Sequence, residues 1–260
     1  MRFYRHYLLC SVAWTLAALL LVGAAVKVRA MVSGPDLWVE WDGFGGRINY
    51  RDIGASLNSC LSGMGRPKLL KEDRVGRSNH KFSGFSCGRV GQPEVIYSLN
   101  HDPNHPRHYF CVGEEGPVIG RAFNEKVELN DLEFAKTWDD PIMRADACAF
   151  FRDSFASIAA GRRTLIHCEA GRDRTGAYAA LLQALVAELA DRLDDAMLAA
   201  IECDYRATRS LKPYKFGRMK SFISDLMQRG GVTTFLSATC GIEPATLRQL
   251  TDSLLWEASP

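Results

Sequence analysis

Residues 176–193 are apolar on nearly every side of a helix, with Ala177, Leu181, Leu182, Leu185, Val186 and Leu189 distributed around it. A helix without a solvent face has to sit in the middle of a fold. A β-rich run at 164–168 runs almost straight into it across a short loop. A strand feeding directly into a buried helix is the unit from which parallel sheets are built, so an α/β fold is expected. The neighbouring segments agree. Residues 141–160 place Ile142, Cys148, Phe151, Phe155 and Ile158 at helical spacing and stop at Gly161. Further helices fit 194–209, 213–228 and 244–255, and short strands fit 47–53, 94–99 and 126–129. The expected architecture is a central, mainly parallel sheet flanked by helices, preceded by an N-terminal hydrophobic helix.

The chain has 260 residues, 47% hydrophobic and 24% charged, enough to bury a sizeable core and too apolar for a disordered chain. Its 32 Lys and Arg against 30 Asp and Glu leave a net charge of +2, which lacks the basic footprint of a nucleic-acid binder. No nucleic-acid partner is expected.

Residues 7–26 carry no charge over twenty positions, about the length of a bilayer-spanning helix. Arg2 and Arg5 precede this run, and Lys27 and Arg29 follow it. Span length and the basic leader favour an uncleaved single-pass anchor with the leader in the cytoplasm. A cleaved signal peptide is the competing reading, with Val28 and Ala30 as small residues before a cut at Met31. A buried core helix is the third. Either leading reading places the rest of the chain outside the cytoplasm, membrane-held in the first case and periplasmic or secreted in the second. Gly34-Pro35, Gly43 and Gly45-Gly46 mark 31–46 as a linker. The expected organisation is thus an anchor or signal over 1–30, that linker, and one compact domain over 47–260.

Eight cysteines lie at positions 10, 60, 87, 111, 148, 168, 203 and 240, with no Cys-x-x-Cys pair to suggest zinc or a redox motif. Export would let them oxidise, and the six left after Cys10 and Cys168 are set aside can pair in about 15 ways. Buried free thiols fit equally well, and no disulfide is predicted.

The chemistry concentrates at His167-Cys168-Glu169-Ala170-Gly171-Arg172-Asp173-Arg174-Thr175-Gly176. A loop turning from a strand into a helix aims backbone N–H groups into a concavity where the helix dipole adds positive potential, and a phosphate is the natural occupant. Gly171 lets the loop curve tightly. Arg174 offers a planar fork for two phosphoryl oxygens, in the ground state and in the transition state. Cys168 stands at the base, where amides, helix end and Arg174 favour the thiolate. The arrangement points to in-line attack by Cys168 on phosphorus and hydrolysis of the resulting phosphocysteine. Glu169, Ala170, Gly171, Arg172 and Asp173 form the substrate side of the loop. Thr175 is placed to hydrogen-bond the sulfur and His167 to hold the loop. The scheme requires a sulfur that is open to phosphate, unbridged, and within a few ångströms of the guanidinium.

His-Cys-x5-Arg-Thr-Gly resembles the signature of the cysteine-dependent protein tyrosine and dual-specificity phosphatases. Ala170 to Gly176 looks most like the loop of the atypical bacterial tyrosine phosphatases, which usually reads Ala-Gly-Lys-Asp-Arg-Thr-Gly and whose members often accept phosphoinositides. Ile48-Asn49-Tyr50-Arg51-Asp52-Ile53-Gly54 is similar to that family's Asn-Phe-Arg-Asp-Leu-Gly opening, and Gly76-Arg77-Ser78-Asn79 to its Tyr-Arg-Ser. Asp204-Tyr205 and the closing stretch from Phe235-Leu236 to Leu254-Leu255 are similar as well, so the resemblance spans residues 45–255. It implies a tyrosine phosphatase-like fold, a phosphorylated protein or phosphoinositide as substrate, and no metal or other cofactor. Two positions depart from the pattern. Arg172 replaces the family's Lys, and Ser98-Leu99-Asn100 stands where Asp-Leu-Arg is usual, so any acid role of that Asp does not carry over. His167-Cys168-Glu169-Ala170-Gly171 also looks like the loop of bacterial cysteine phytases, which leaves an inositol-phosphate phosphatase as the alternative enzyme. A catalytically silent phosphate-binding module is the alternative of another class.

A phosphatase of this kind uses a carboxylic acid to protonate the leaving oxygen and then activate water. Thr137-Trp138-Asp139-Asp140-Pro141 lies at the distance before Cys168 where similar enzymes carry theirs, and resembles the Trp-Pro-Asp loop of eukaryotic relatives. Asp139 is the first choice. Asp140 is the second candidate and also fits a helix N-cap before Pro141, and Asp131, Asp102 or no dedicated acid remain open. His101, Asp102, His105 and His108 do not make a metal site by spacing, because Pro103 and Pro106 interrupt them. Arg206, Arg209, Lys212, Lys215, Arg218 and Lys220 form a basic stretch that reads either as a solvated face or as one facing an anionic membrane.

Overall fold

The computed structural model describes residues 40–41, 46–47, 49–79, 87–101, 118–123, 141–168, 170–208 and 211–256. The hydrophobic segment at 7–26, the expected strand at 126–129 and all four candidate acids lie outside them. Among the described residues no helix is long and apolar enough to cross a membrane.

The chain divides into two units, Met1–Ile48 and Asn49–Pro260. In the first, β1 (Glu40–Trp41) and β2 (Gly46–Arg47) pair antiparallel. The second opens with β3 (Arg51–Asp52), a two-residue strand, and passes at once into α1 (Ile53–Gly63). The strand expected over 47–53 is therefore corrected. Asp52 is the N-cap, its carboxylate accepting from the Ala55 N–H at 2.7 Å, and Ile53, Leu57 and Leu61 recur every fourth residue on the buried face.

The other strands are β4 (Val75–Asn79), β5 (Val95–His101), β6 (Val118–Phe123) and β7 (Thr164–Cys168). The sheet runs β3-β4-β7-β5-β6, parallel throughout except for β3 against β4. The last strand in sequence thus lies between β4 and β5. A loop leaving its carboxyl end emerges in the crevice of the sheet, where open α/β sheets bind ligands. All five residues of β4 and of β7 are buried. Side chains alternate between two faces: Tyr97 and Ile166 join the large core, while Ile96 and Leu165 pack with Val90 and Tyr50.

The helices that follow are α2 (Pro141–Ala159), α3 (Asp173–Leu189), α4 (Asp195–Arg206), α5 (Arg218–Gln228) and α6 (Pro244–Leu254). Every residue of α3 from Thr175 to Ala187 is buried, as its all-round apolar character demands. It packs against α4, α5 and α6, and Tyr178 on it meets Phe150 and Phe155 of α2 edge-on and Phe151 tilted. The helix expected over 213–228 is broken. Pro213–Lys215 forms a 3-10 turn, and Gly217, at φ 88°, resets the backbone before α5.

Among the described residues two disulfides cross-link this unit, Cys60 of α1 to Cys203 of α4 and Cys148 of α2 to Cys240. Cys87 is disulfide-bonded as well. The choice left open in sequence between oxidised pairs and buried thiols falls to disulfides at these cysteines, and sequence spacing could not have made the pairing because the partners stand 143 and 92 residues apart. Closing loops of that length is worth about 4–5 kcal/mol each in the chain-entropy account.

The cap of α1 carries a pH dependence. Burial, reinforced by neighbouring Asp73, pushes the Asp52 carboxyl up to about 6 against the pull of the Ala55 N–H. The folded state therefore holds this proton more tightly than the unfolded chain, and the resulting stability is present below about pH 4 and lost as pH rises through 6. Asp52→Asn keeps an N-cap acceptor without the charge. Denaturant melts from pH 4 to 7 are expected to show the variant losing about 2–3 kcal/mol less than the wild type across that window.

Candidate active site

Cys168, the last residue of β7, pairs in register with Asn79 at the end of β4. Among the described cysteines it is the free one. His167, one residue back, is fully buried opposite Ser78 on one side and Ser98 on the other, and so anchors the start of the loop inside the sheet.

The loop then turns against the end of β4. Gly171 adopts φ +64°, and a Cβ there would stand 2.6–2.8 Å from the backbone of Ser78 and Asn79, so only glycine fits. Asn49 ties this turn down from below: its amide N–H donates to Asn79 Oδ1 at 2.8 Å, and its Nδ2 to the carbonyls of Ala170 at 3.3 Å and Gly171 at 3.0 Å. Arg77 Nη2 donates to the carbonyls of Gly171 and Arg172, both at 3.3 Å. The Arg172 carbonyl also accepts from the Gly176 N–H at 2.7 Å, the first helical bond. Helix α3 consequently starts inside the loop, at Asp173, three residues before its expected start, and Arg174 lies in its first turn.

Arg174 is half-buried, and its Nη1 donates to the Leu99 carbonyl of β5 at 2.8 Å. Asp173 has both carboxylate oxygens engaged within the protein, Oδ1 by the Tyr205 hydroxyl at 2.7 Å and Oδ2 by Lys215 Nζ. Burial raises this carboxyl, but Lys215, Tyr205 and Arg172 outweigh it and hold Asp173 below the ordinary aspartate range. It stays a carboxylate at neutral pH and has no proton to donate. Its bonds join the start of α3 to α4 and to the Pro213–Lys215 turn.

Behind the loop lies a second buried carboxylate, Asp204 of α4. Arg77 Nη1 reaches its Oδ2 at 3.1 Å, Gln183 Nε2 donates to the same oxygen at 3.1 Å, and Ser56 donates to Oδ1. Arg51 stands 3.6 Å from Oδ1 and donates to the Asp204 backbone carbonyl and to Thr208. Burial pushes Asp204 up, but the Arg77 and Arg51 guanidiniums overcome it and keep the carboxyl well below its usual range.

Residues 128–256 match the model that describes the tyrosine phosphatase family. The chain carries a tyrosine phosphatase family domain. No curated protein matches the chain. The matched span contains β7, the loop and α3, whereas Asn49 and Arg77, which bond the loop directly, and Arg51, which bonds Asp204 behind it, lie upstream of it.

Of the residues singled out in sequence, the phosphatase domain brings Cys168, Ala170, Gly171, Arg172, Asp173 and Arg174 together on one turn. Glu169 lies outside the described residues, as do Asp102, Asp131, Asp139 and Asp140. Thr175 is buried, and its hydroxyl makes no hydrogen bond, so the expected bond to sulfur is not formed. Cys168 is unbridged as the scheme requires, but at 2% exposure it is covered rather than open. It ends a strand whose neighbours are buried, and the loop folds back on β4. Sequence reasoning gave Asn49, Arg77 and Asp204 no task beyond a family resemblance. The available signal was polar residues at positions that strand and helix periodicity place inside.

Gly171→Ala is expected to lose phosphate-ester turnover by at least about tenfold while retaining the fold, because the clash is with strand backbone that cannot yield. Steady-state kinetics beside circular dichroism check this.

Proposed function

We propose that the chain is a phosphate monoester hydrolase, a protein tyrosine or dual-specificity phosphatase, working through Cys168. The observation that carries the reading is the union of a free cysteine at the end of a buried strand, a loop whose carbonyls are tied back by Asn49 and Arg77, and an arginine in the first turn of a buried helix. Amides freed on the other side of such a loop, together with the helix dipole, suit a phosphoryl group.

In the first step the Cys168 thiolate attacks phosphorus, the S–P bond forms and the ester P–O bond breaks, and a carboxylic acid protonates the leaving oxygen. In the second, the resulting carboxylate takes a proton from water, the water oxygen attacks phosphorus, and the S–P bond breaks to release inorganic phosphate. Arg174 follows the equatorial oxygens through both steps, exchanging its bond to the Leu99 carbonyl for them. Because Asp173 is held ionised, the acid comes from elsewhere, and Asp139 is the first candidate. Cys168 is buried, so attack requires that phosphate gain access to a sulfur 2% exposed.

The domain is proposed to work outside the cytoplasm, membrane-held through residues 7–26. Structural disulfides persist in oxidising compartments, and Cys60–Cys203 and Cys148–Cys240 are of that kind.

A substrate panel on the full-length chain, with chelator present, tests the reading. Phosphotyrosine peptides are expected to release phosphate with wild-type protein, and Cys168→Ser is expected to lose turnover by about three orders of magnitude or more while still binding substrate. Preferential release from inositol phosphates would move the substrate class to inositol esters. Equal turnover by the Cys168→Ser protein would overturn the mechanism, and binding without any wild-type turnover would leave a phosphate-binding module.

A further inference from the structure

A trans peptide unit points its C=O and its N–H in opposite directions. Fixing the carbonyl of one residue therefore fixes the amide of the next. Three consecutive carbonyls of the loop are fixed by side chains behind it: Ala170 and Gly171 by Asn49 Nδ2, and Gly171 and Arg172 by Arg77 Nη2. The same peptide units carry the N–H groups of Gly171, Arg172 and Asp173, which are turned away from Arg77 and Asn49. The direction of three potential oxyanion donors is thus decided by groups that never meet the oxyanion.

Arg77 can do this only if its own charge is held. It is 1% exposed, and a buried guanidinium without a counter-charge is strongly disfavoured by its lost hydration. Asp204, also 1% exposed, supplies that charge and is itself over-determined by Arg51, Gln183 and Ser56. Gly176 leaves room for the arrangement, since a Cβ there would lie 3.4 Å from Arg77 Nη2 and 2.8 Å from the Tyr205 ring. The Cys60–Cys203 disulfide joins α1, which carries Ser56, to α4 at the residue before Asp204.

We infer that Asp204 is a positioning residue that acts through Arg77 to hold the loop amides in their oxyanion-binding direction, so that oxyanion affinity depends on a carboxylate that touches neither substrate nor nucleophile. The inference rests on the loop being the phosphate site proposed above. Preorganised amides are worth most where they need not turn at the moment of binding, and loss of Asp204 charge removes that preparation even if the fold survives.

The test measures inorganic phosphate binding by calorimetry and phosphate-ester kinetics on the full-length protein. Asp204→Asn is expected to weaken phosphate by about tenfold or more, equivalent to about 1.4 kcal/mol, and to lower kcat rather than only raise KM. Leu247→Ala, in the fully buried face of α6 and without a bond to the loop, serves as a control matched in lost melting temperature and is expected to bind phosphate as the wild type does. Asn49→Ala removes carbonyl donors without unpairing a buried charge, and is expected to weaken phosphate severalfold should Asp204→Asn fail to fold. Wild-type binding that Asp204→Asn or Asn49→Ala leaves within about twofold, or a control that loses as much as they do, would overturn the inference alone. A wild-type protein that neither binds phosphate nor hydrolyses its esters would overturn the underlying reading, and the inference with it.

Discussion

The loop between β7 and α3 has to satisfy its backbone on one side and leave donors on the other. Water cannot do the first, because the strand, the helix and the polar end of β4 behind the loop are all buried. Two side chains do it instead, Asn49 from the segment before β3 and Arg77 from the middle of β4. Once a guanidinium is placed there, a carboxylate must follow, and Asp204 follows with Arg51 as its second partner. Much of the polar interior of the domain is a consequence of that one backbone requirement.

Charge is distributed with equal economy at the mouth of the loop. Asp173 carries a negative charge at the start of α3, where Lys215 compensates it and the Tyr205 hydroxyl hydrogen-bonds it, fastening that start to two later elements. Among the described cysteines, Cys60, Cys87, Cys148, Cys203 and Cys240 are disulfide-bonded and Cys168 is not. An oxidising surrounding that stabilises the frame is also the one in which an unprotected thiolate is at risk. Burial of Cys168 limits access of oxidants to its sulfur.

What could be read from the sequence follows from how local the cause was. The β7-loop-α3 unit was legible because a short apolar strand, a glycine turn and an all-apolar helix are contiguous, and their positions in the structure agree to within a few residues. Strand β4 was not, since Gly76-Arg77-Ser78-Asn79 has weak strand character and becomes a strand by lying against β7. Helix α1 was missed because Gly54, Ser56, Asn58 and Ser59 are poor helix formers, and the helix is decided by the Asp52 cap and by packing against α4. The disulfides and the Arg77–Asp204 pair join positions far apart in the chain, and no spacing rule reaches them. The cover over Cys168 is likewise a property of the assembled sheet and loop.

The central claim is a covalent bond between Cys168 and phosphorus. Mass spectrometry of the full-length protein, acid-quenched during turnover of a phosphotyrosine peptide and mapped by peptide, tests it most directly. The account predicts one added phosphoryl group, confined to the peptide containing Cys168 and absent when that residue is serine. Turnover with no modified cysteine, or with the phosphoryl group on another residue, would contradict it.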